Sequence, residues 1–286
     1  MSDFDTRHTN LTSHSEARPA PDSRLLWIAV VVLVVVLAVW LMLTPDGLLG
    51  KADAIGYAVC HRIDARSFHL PGGRAVPLCA RCSGTFLGVM VGLFGPGVLF
   101  GRRRAAGFPP LPMIAVMLLA TAWWGIDGAN SFAHLLPGEG IPRLWEPTNF
   151  LRVTTGMFHG ITMASLILPI LNSTVWADAT NEPTLDRWGQ LGVLYGIGAV
   201  LIAMVYSELP VFLYPLAFLS AVGVVVILSA TMTVIVTTLL GRENRARTVT
   251  EALPLFLLAV AATFVLIGGI DALRFAIFGS WDGFSI

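Results

Sequence analysis

All three cysteines of the 286-residue chain lie between positions 60 and 82, in Cys60-His61-Arg62 and Cys79-Ala80-Arg81-Cys82. The two-residue spacing of Cys79 and Cys82 lets both sulfurs reach one tetrahedral ion or close a strained disulfide. Cys60 adds a third thiol and His61 an imidazole, so Cys60, His61, Cys79 and Cys82 form a candidate ligand set for zinc or another thiophilic metal. The same thiols suit disulfide exchange, with Cys79 and Cys82 as the exchanging pair and Cys60 as the additional thiol. A c-type haem is excluded, because Cys82 is followed by Ser83 where attachment requires histidine.

Arginines crowd the same stretch. Arg62, Arg66 and Arg81, with Arg152 further along, are candidates for gripping an anion, since guanidinium forks match phosphate oxygens. Asp127, Asn149 and Asp271 are candidate partners for them, and an ion-pair network that braces loops uses the same residues. His134 and His159 read as interfacial or packed histidines.

The elements that must position these groups are membrane helices. Hydrophobic residues make up 55% of the chain and charged residues 13%, with a mean hydropathy of +0.75, which is more apolar surface than a soluble domain of this length can bury. Uncharged runs at 25–43, 83–101, 105–126, 153–177, 188–207, 209–241 and 252–270 are each long enough to cross a bilayer as a helix. They lack period-2 alternation, so helices are expected rather than barrel strands. The expected fold is therefore an all-α bundle of about seven transmembrane helices, with the Cys/His/Arg segment as an extracytoplasmic loop. Trp27, Trp40, Trp123, Trp124, Trp176 and Trp188 fall near the expected span ends, where indoles favour the headgroup level.

The chain divides into a polar, disordered tail (1–24), a first anchor (25–43), a central region with the cysteines and three spans (44–175) and a C-terminal three-helix region (176–286). The 25–43 run is too long for a secretory h-region and lacks a cleavage pattern after it, so it is expected to remain as an anchor. With 18 basic and 18 acidic residues the net charge is zero, which argues against nucleic acid as a partner. The Arg102-Arg103-Arg104 cluster reads instead as a topology signal. No Walker, GxGxxG, nucleophile-elbow or HExxH motif is present.

With a cytoplasmic N-terminus that side holds ten of the 18 basic residues and the other side eight. Five of those eight lie in 51–81, and setting that segment aside leaves ten against three, favouring N-terminus inside and C-terminus outside. Gly84, Gly88 and Gly92 on the second span, and Gly192 and Gly196 on the fifth, recur every four residues and suggest close helix packing. Gly125-Ile126-Asp127 and Gly269-Ile270-Asp271 close two spans of like orientation, as a parallel repeat would.

The CH, RSF and CARCSG elements around Cys60, Arg66 and Cys79, followed by Asp127-Gly128, Asn149, Arg152 and Thr155-Gly156, resemble a family of predicted prokaryotic membrane proteins, domain of unknown function 2085. The resemblance covers residues 60–156 and implies that these residues belong together; it implies no substrate or enzymatic activity. Three functions are compatible with the residues: a membrane protein with a Cys3His metal site, a membrane thiol–disulfide oxidoreductase, and a binder, transporter or transferase of an anionic lipid phosphate. The bilayer is the expected environment in all three.

Overall fold

The structure, a computed structural model, describes residues 23–136 and 143–283. Most of the tail read as disordered, and part of the loop expected between the third and fourth spans, lie outside the described residues. Eight α-helices are found among those described: α1 (Ser23–Leu43), α2 (Gly47–Val59), α3 (Ala80–Leu99), α4 (Leu111–Ala133), α5 (Asn149–Val175), α6 (Trp188–Tyr206), α7 (Pro210–Leu239) and α8 (Val249–Phe278). Seven of them are long and apolar enough to span a membrane, and the chain is an all-α multi-pass bundle. The exception is α2, whose 13 residues rise only about 20 Å.

Several helix limits differ from the hydropathy reading where charged residues are buried in protein. Runs chosen by the absence of charge stop at Arg152 and Asp127, but both residues are buried in protein and the helices run through them. Thr148 caps α5 by accepting from the Leu151 N–H at 3.2 Å, so Asn149 and Arg152 occupy its first turn rather than a loop. Asp127 likewise lies within α4, and Asp271 within α8, rather than at their ends. At the other end of α4, residues expected to begin the span form β1 (Ala105–Gly107), which pairs with β2 (Thr180–Pro183); helix resumes after Pro109 and Pro110.

The two ends of the bundle are distinguished by their contacts. At one end Arg102 reaches Glu182 at 2.6 Å and Asp186 at 2.7 Å, beside the β1–β2 pair, and the Arg104 guanidinium lies 3.5 Å over the Trp176 ring. At the other end Asn149 Nδ2 donates to the Ser67 carbonyl at 3.3 Å, and Tyr57 donates to the Ser280 carbonyl at 2.9 Å.

Helix packing centres on α3 and α5. A Cβ on Gly84, Gly88 or Gly92 would collide with the backbone of Val153, Met157 or Ile161, and one on Gly156 or Gly160 with that of Arg81 or Thr85. The backbones therefore touch, which in lipid is a main source of helix association. The expected second stripe does not pack: nothing lies within 4 Å of a Cβ on Gly192 or Gly196, and Gly198 faces Met157 instead. Of the tryptophans expected at the headgroup level, Trp40 and Trp176 are buried in protein, against Phe264 and Phe256.

Candidate metal centre

The segment carrying the cysteines is folded into the bundle and is not a loop lying over it. Helix α2 packs on α7 and α8 through Ala54 and Ile55, and Cys60, Leu78 and Cys79 rest against Val224 of α7. Val224 lies 14 residues, about 21 Å, from the start of α7. The cysteines are thus recessed behind the projecting ends of α6 and α7, where Phe68 meets Tyr206 edge-on.

Cys60 ends α2, its N–H donating to the Gly56 carbonyl at 2.9 Å; Cys79 is the residue before the first turn of α3 and Cys82 lies within that turn. Their three sulfurs fall within 4.8 Å of one another. Zinc–sulfur bonds of about 2.3 Å put two tetrahedral thiolates about 3.8 Å apart, so modest closure brings all three onto one ion. Cys60 Sγ also accepts the N–H groups of Cys79 at 3.3 Å and Arg62 at 3.4 Å. The second of these requires Arg62 to take a left-handed conformation (φ 52°), a strained choice for a non-glycine residue that its side chain helps to hold by pairing with Asp53 at 2.9 Å.

Charge in the cluster is unequally shared. Hydrogen bonds from Cys60 and Cys82, together with one from His61, hold the Cys79 thiol well below its ordinary range despite burial. The hydrogen bond to Cys79, reinforced by burial and the negative charge there, pushes Cys60 up to about 12. His61 serves Cys79 as a donor. Its Nδ1 accepts the Ile63 N–H at 3.2 Å, which leaves the proton of the neutral ring on Nε2. His61 is not among the three groups that lie mutually close.

Beside the sulfurs stand three guanidinium groups from three elements. Arg66, at the end of a 3-10 turn (Asp64–Arg66), donates to the Ser131 carbonyl at 2.7 Å. Arg81 pairs with the Asp127 carboxylate and donates to Ser131 Oγ at 3.1 Å. Arg152 donates to Asn149 Oδ1 at 2.8 Å. Asp127 is fully buried and also accepts from Trp145 Nε1 at 3.3 Å and Thr155 Oγ1 at 3.4 Å. Arg66 and Arg152 are 8% and 7% exposed. Burial, and then the charge of Arg81, lower the affinity of Arg66 for its proton, an effect that Cys79 opposes. Arg152 lies in the field of Arg66, Arg81, Asp127 and Cys79. Every element of the CH, RSF, CARCSG, DG and NxxRxxTG pattern thus meets in one region.

Residues 60–166 match the family described as predicted membrane protein (DUF2085). An uncharacterized protein of Methanocaldococcus jannaschii is 27% identical over 123 residues, covering 43% of this chain and 70% of that protein. No solved structure matches. The DUF2085 segment begins at Cys60 and ends within α5, so it contains the sulfurs, the three arginines and the α3–α5 contact while leaving out α1, α2 and α6 to α8.

Other residues singled out by sequence lie elsewhere. Arg62 faces Asp53 and donates to the Trp281 carbonyl at 3.1 Å, apart from the three arginines of the DUF2085 segment. Asp271 lines a crevice between α1 and α8, and it hydrogen-bonds to none of the arginines proposed as its partners. Its counterpart in the suspected repeat, Asp127, is ion-paired, so the two aspartates have unlike surroundings. His159 stacks on Trp124 at 4.2 Å and His134 contacts the Asn130 carbonyl at 2.9 Å, as packed and interfacial histidines do. Sequence reasoning missed Ser131, which joins Arg66 to Arg81, and Arg274, which donates to the Cys60 carbonyl at 2.8 Å from 214 positions away. A serine in an apolar helix carries a faint signal of this kind; for Arg274 nothing in the chain pointed to α2.

Proposed function

We propose that Cys60, Cys79 and Cys82, completed by His61, hold one thiophilic metal ion, zinc being the best match to the donor set, and that the ion fastens the recessed segment to the membrane bundle. The reading rests on one observation: three sulfurs from the end of α2 and the start of α3 converge within 4.8 Å. A closed site of four protein ligands serves stability rather than catalysis. For His61 to join, its ring proton moves to Nδ1 and the Ile63 contact is given up, so His61→Ala is expected to weaken metal binding while Cys79→Ser abolishes it. Elemental analysis of protein purified under reducing conditions should find one metal per chain in the wild type and almost none in Cys79→Ser. A metal-free wild type would refute the proposal.

Disulfide exchange between Cys79 and Cys82 would use the same atoms, and thiol counting on the same samples separates the two. Metal-bound thiolates become reactive on chelation, whereas exchanging cysteines become so only on reduction.

A second reading is favoured by the arginines. Three largely buried guanidinium groups share the region of one carboxylate, Asp127, which pairs with Arg81, and the Nε atoms of Arg81 and Arg152 are buried without a hydrogen-bond partner. Such a surplus of positive donors suits a phosphate-type oxyanion, free or on a lipid headgroup. Charge reversal at Arg66 and Arg152 should remove co-purifying anionic lipid, measured by mass spectrometry, or the binding of inorganic phosphate. Unchanged levels of both would refute it. The site is proposed to face the extracytoplasmic side.

A further inference from the structure

A crevice of about 550 Å³ runs between α1 and α8, outside the segment matched by DUF2085 and independent of the metal centre. That volume lies within the range of pockets that take a small organic ligand. Its walls are almost wholly apolar. Val35, Val36 and Val39 of α1 face Phe264 and Val265 of α8, and towards the cysteine end of the bundle the walls become Trp40, Phe275 and Trp281.

One charged side chain lines it. Asp271 is only 2% exposed, and neither carboxylate oxygen has a hydrogen-bond partner. The indole N–H of Trp40 is turned towards it without reaching hydrogen-bond geometry. The neighbouring cation, Arg274, lies 3.9 Å over the Tyr57 ring and donates to the Tyr57 and Cys60 carbonyls. An ionisable group so placed in a membrane helix is costly to keep without a partner and marks a binding site by default.

The surroundings specify the partner. Trp40 packs edge-on against Phe264 at 5.0 Å and Phe275 packs tilted against Trp281 at 5.6 Å, so two aromatic pairs line the same crevice as the carboxylate. Ring faces with one negative charge and few hydrogen-bonding groups suit an alkylated ammonium, which attracts π systems and donates few or no hydrogen bonds. We propose that this crevice binds an amphiphile with an ammonium head, its charge held by Asp271 among Trp40, Phe275 and Trp281, and its chain laid along Val35, Val39 and Phe264.

The probe is dodecyltrimethylammonium, titrated against the full chain in a non-ionic detergent and counted by native mass spectrometry, with dodecanol as the uncharged control. Wild type should bind one cation per chain, Asp271→Asn should weaken that binding about tenfold or more, and dodecanol should bind equally to both. A parallel titration with a choline-headed phospholipid separates a lipid source of the ammonium from a free one. Equal binding of the cation to wild type and Asp271→Asn would overturn the proposal, as would dodecanol binding as tightly as the cation. Should Asp271→Asn fail to fold, Gly268→Leu asks the same question. A Cβ there meets only Trp40, at 3.5 Å, so a larger side chain fills the crevice while leaving the carboxylate; undiminished binding would again overturn the proposal.

Discussion

Cys79 takes the first negative charge of the sulfur cluster because three hydrogen bonds converge on it, from Cys60, Cys82 and His61, at the start of a helix whose free N–H groups also favour a thiolate. Cys60 keeps its proton for the complementary reason, since it lends that proton to Cys79 and is itself pushed up to about 12. A metal ion bound by the three sulfurs would replace these shared protons, and its binding would release the one on Cys60. The sign follows: lowering the pH restores the competing proton, and apparent metal affinity rises with pH across the neutral range, by about tenfold per unit for each proton displaced. Calorimetry at pH 7 in two buffers of different ionisation enthalpy should report at least one proton released per metal; none released would remove Cys60 from the ligand set. The two-residue spacing of Cys79 and Cys82 and the nearness of His61 to Cys60 made this group legible in the sequence. The tautomer of His61 was not, because it depends on the Ile63 N–H, a contact made by backbone conformation and not by residue type.

Glycines spaced every four residues mark a helix face without saying whether anything lies against it. On α3 the face meets α5 so closely that a methyl group on Gly88 would run into the Met157 carbonyl, whereas on α6 the same spacing at Gly192 looks onto open space. Gly88→Ala should therefore force two packed backbones apart and cost about 1–3 kcal/mol, as overpacking does. Gly192→Ala should be neutral or slightly stabilising, within about 0.5 kcal/mol. Unfolding of both variants in detergent, by heat or denaturant, checks the contrast; equal effects would mean that the α3–α5 contact does not bear the bundle's stability. Seven spans were legible because lipid demands long uncharged runs. Helix α2 was not, being too short to span and too mixed in composition to register, and the start of α5 at Asn149 and Arg152 was not, because a charge ordinarily ends an uncharged run. Both misreadings arise where protein, rather than lipid or water, is the solvent.

Which end of the bundle faces the cytoplasm is a matter of basic residues that remain available to the surface. Among the described residues the two ends carry eight basic side chains each, which decides nothing. Exposure separates them. At the end bearing the β1–β2 pair, Arg24, Arg103, Arg187, Arg245 and Arg247 are exposed, while at the cysteine end only Arg74 and Arg143 are. Arg62, Arg66, Arg81, Arg152 and Arg274 at the cysteine end are drawn inward by Asp53, Ser131, Asp127, Asn149 and the carbonyls of α2. Charges held inside a fold serve it, and the topology bias counts those in short loops beside the membrane. The expected arrangement therefore has the N-terminus in the cytoplasm and the cysteine cluster and C-terminus outside it. Alkaline phosphatase fused after residue 286 should be active in intact cells and a fluorescent protein fused there dark, with the reverse for fusions in the loop between α7 and α8. A fluorescent, phosphatase-negative C-terminus would invert the molecule and put the three thiols on the reducing side, where a bound metal, rather than a disulfide, would be the state that the compartment favours.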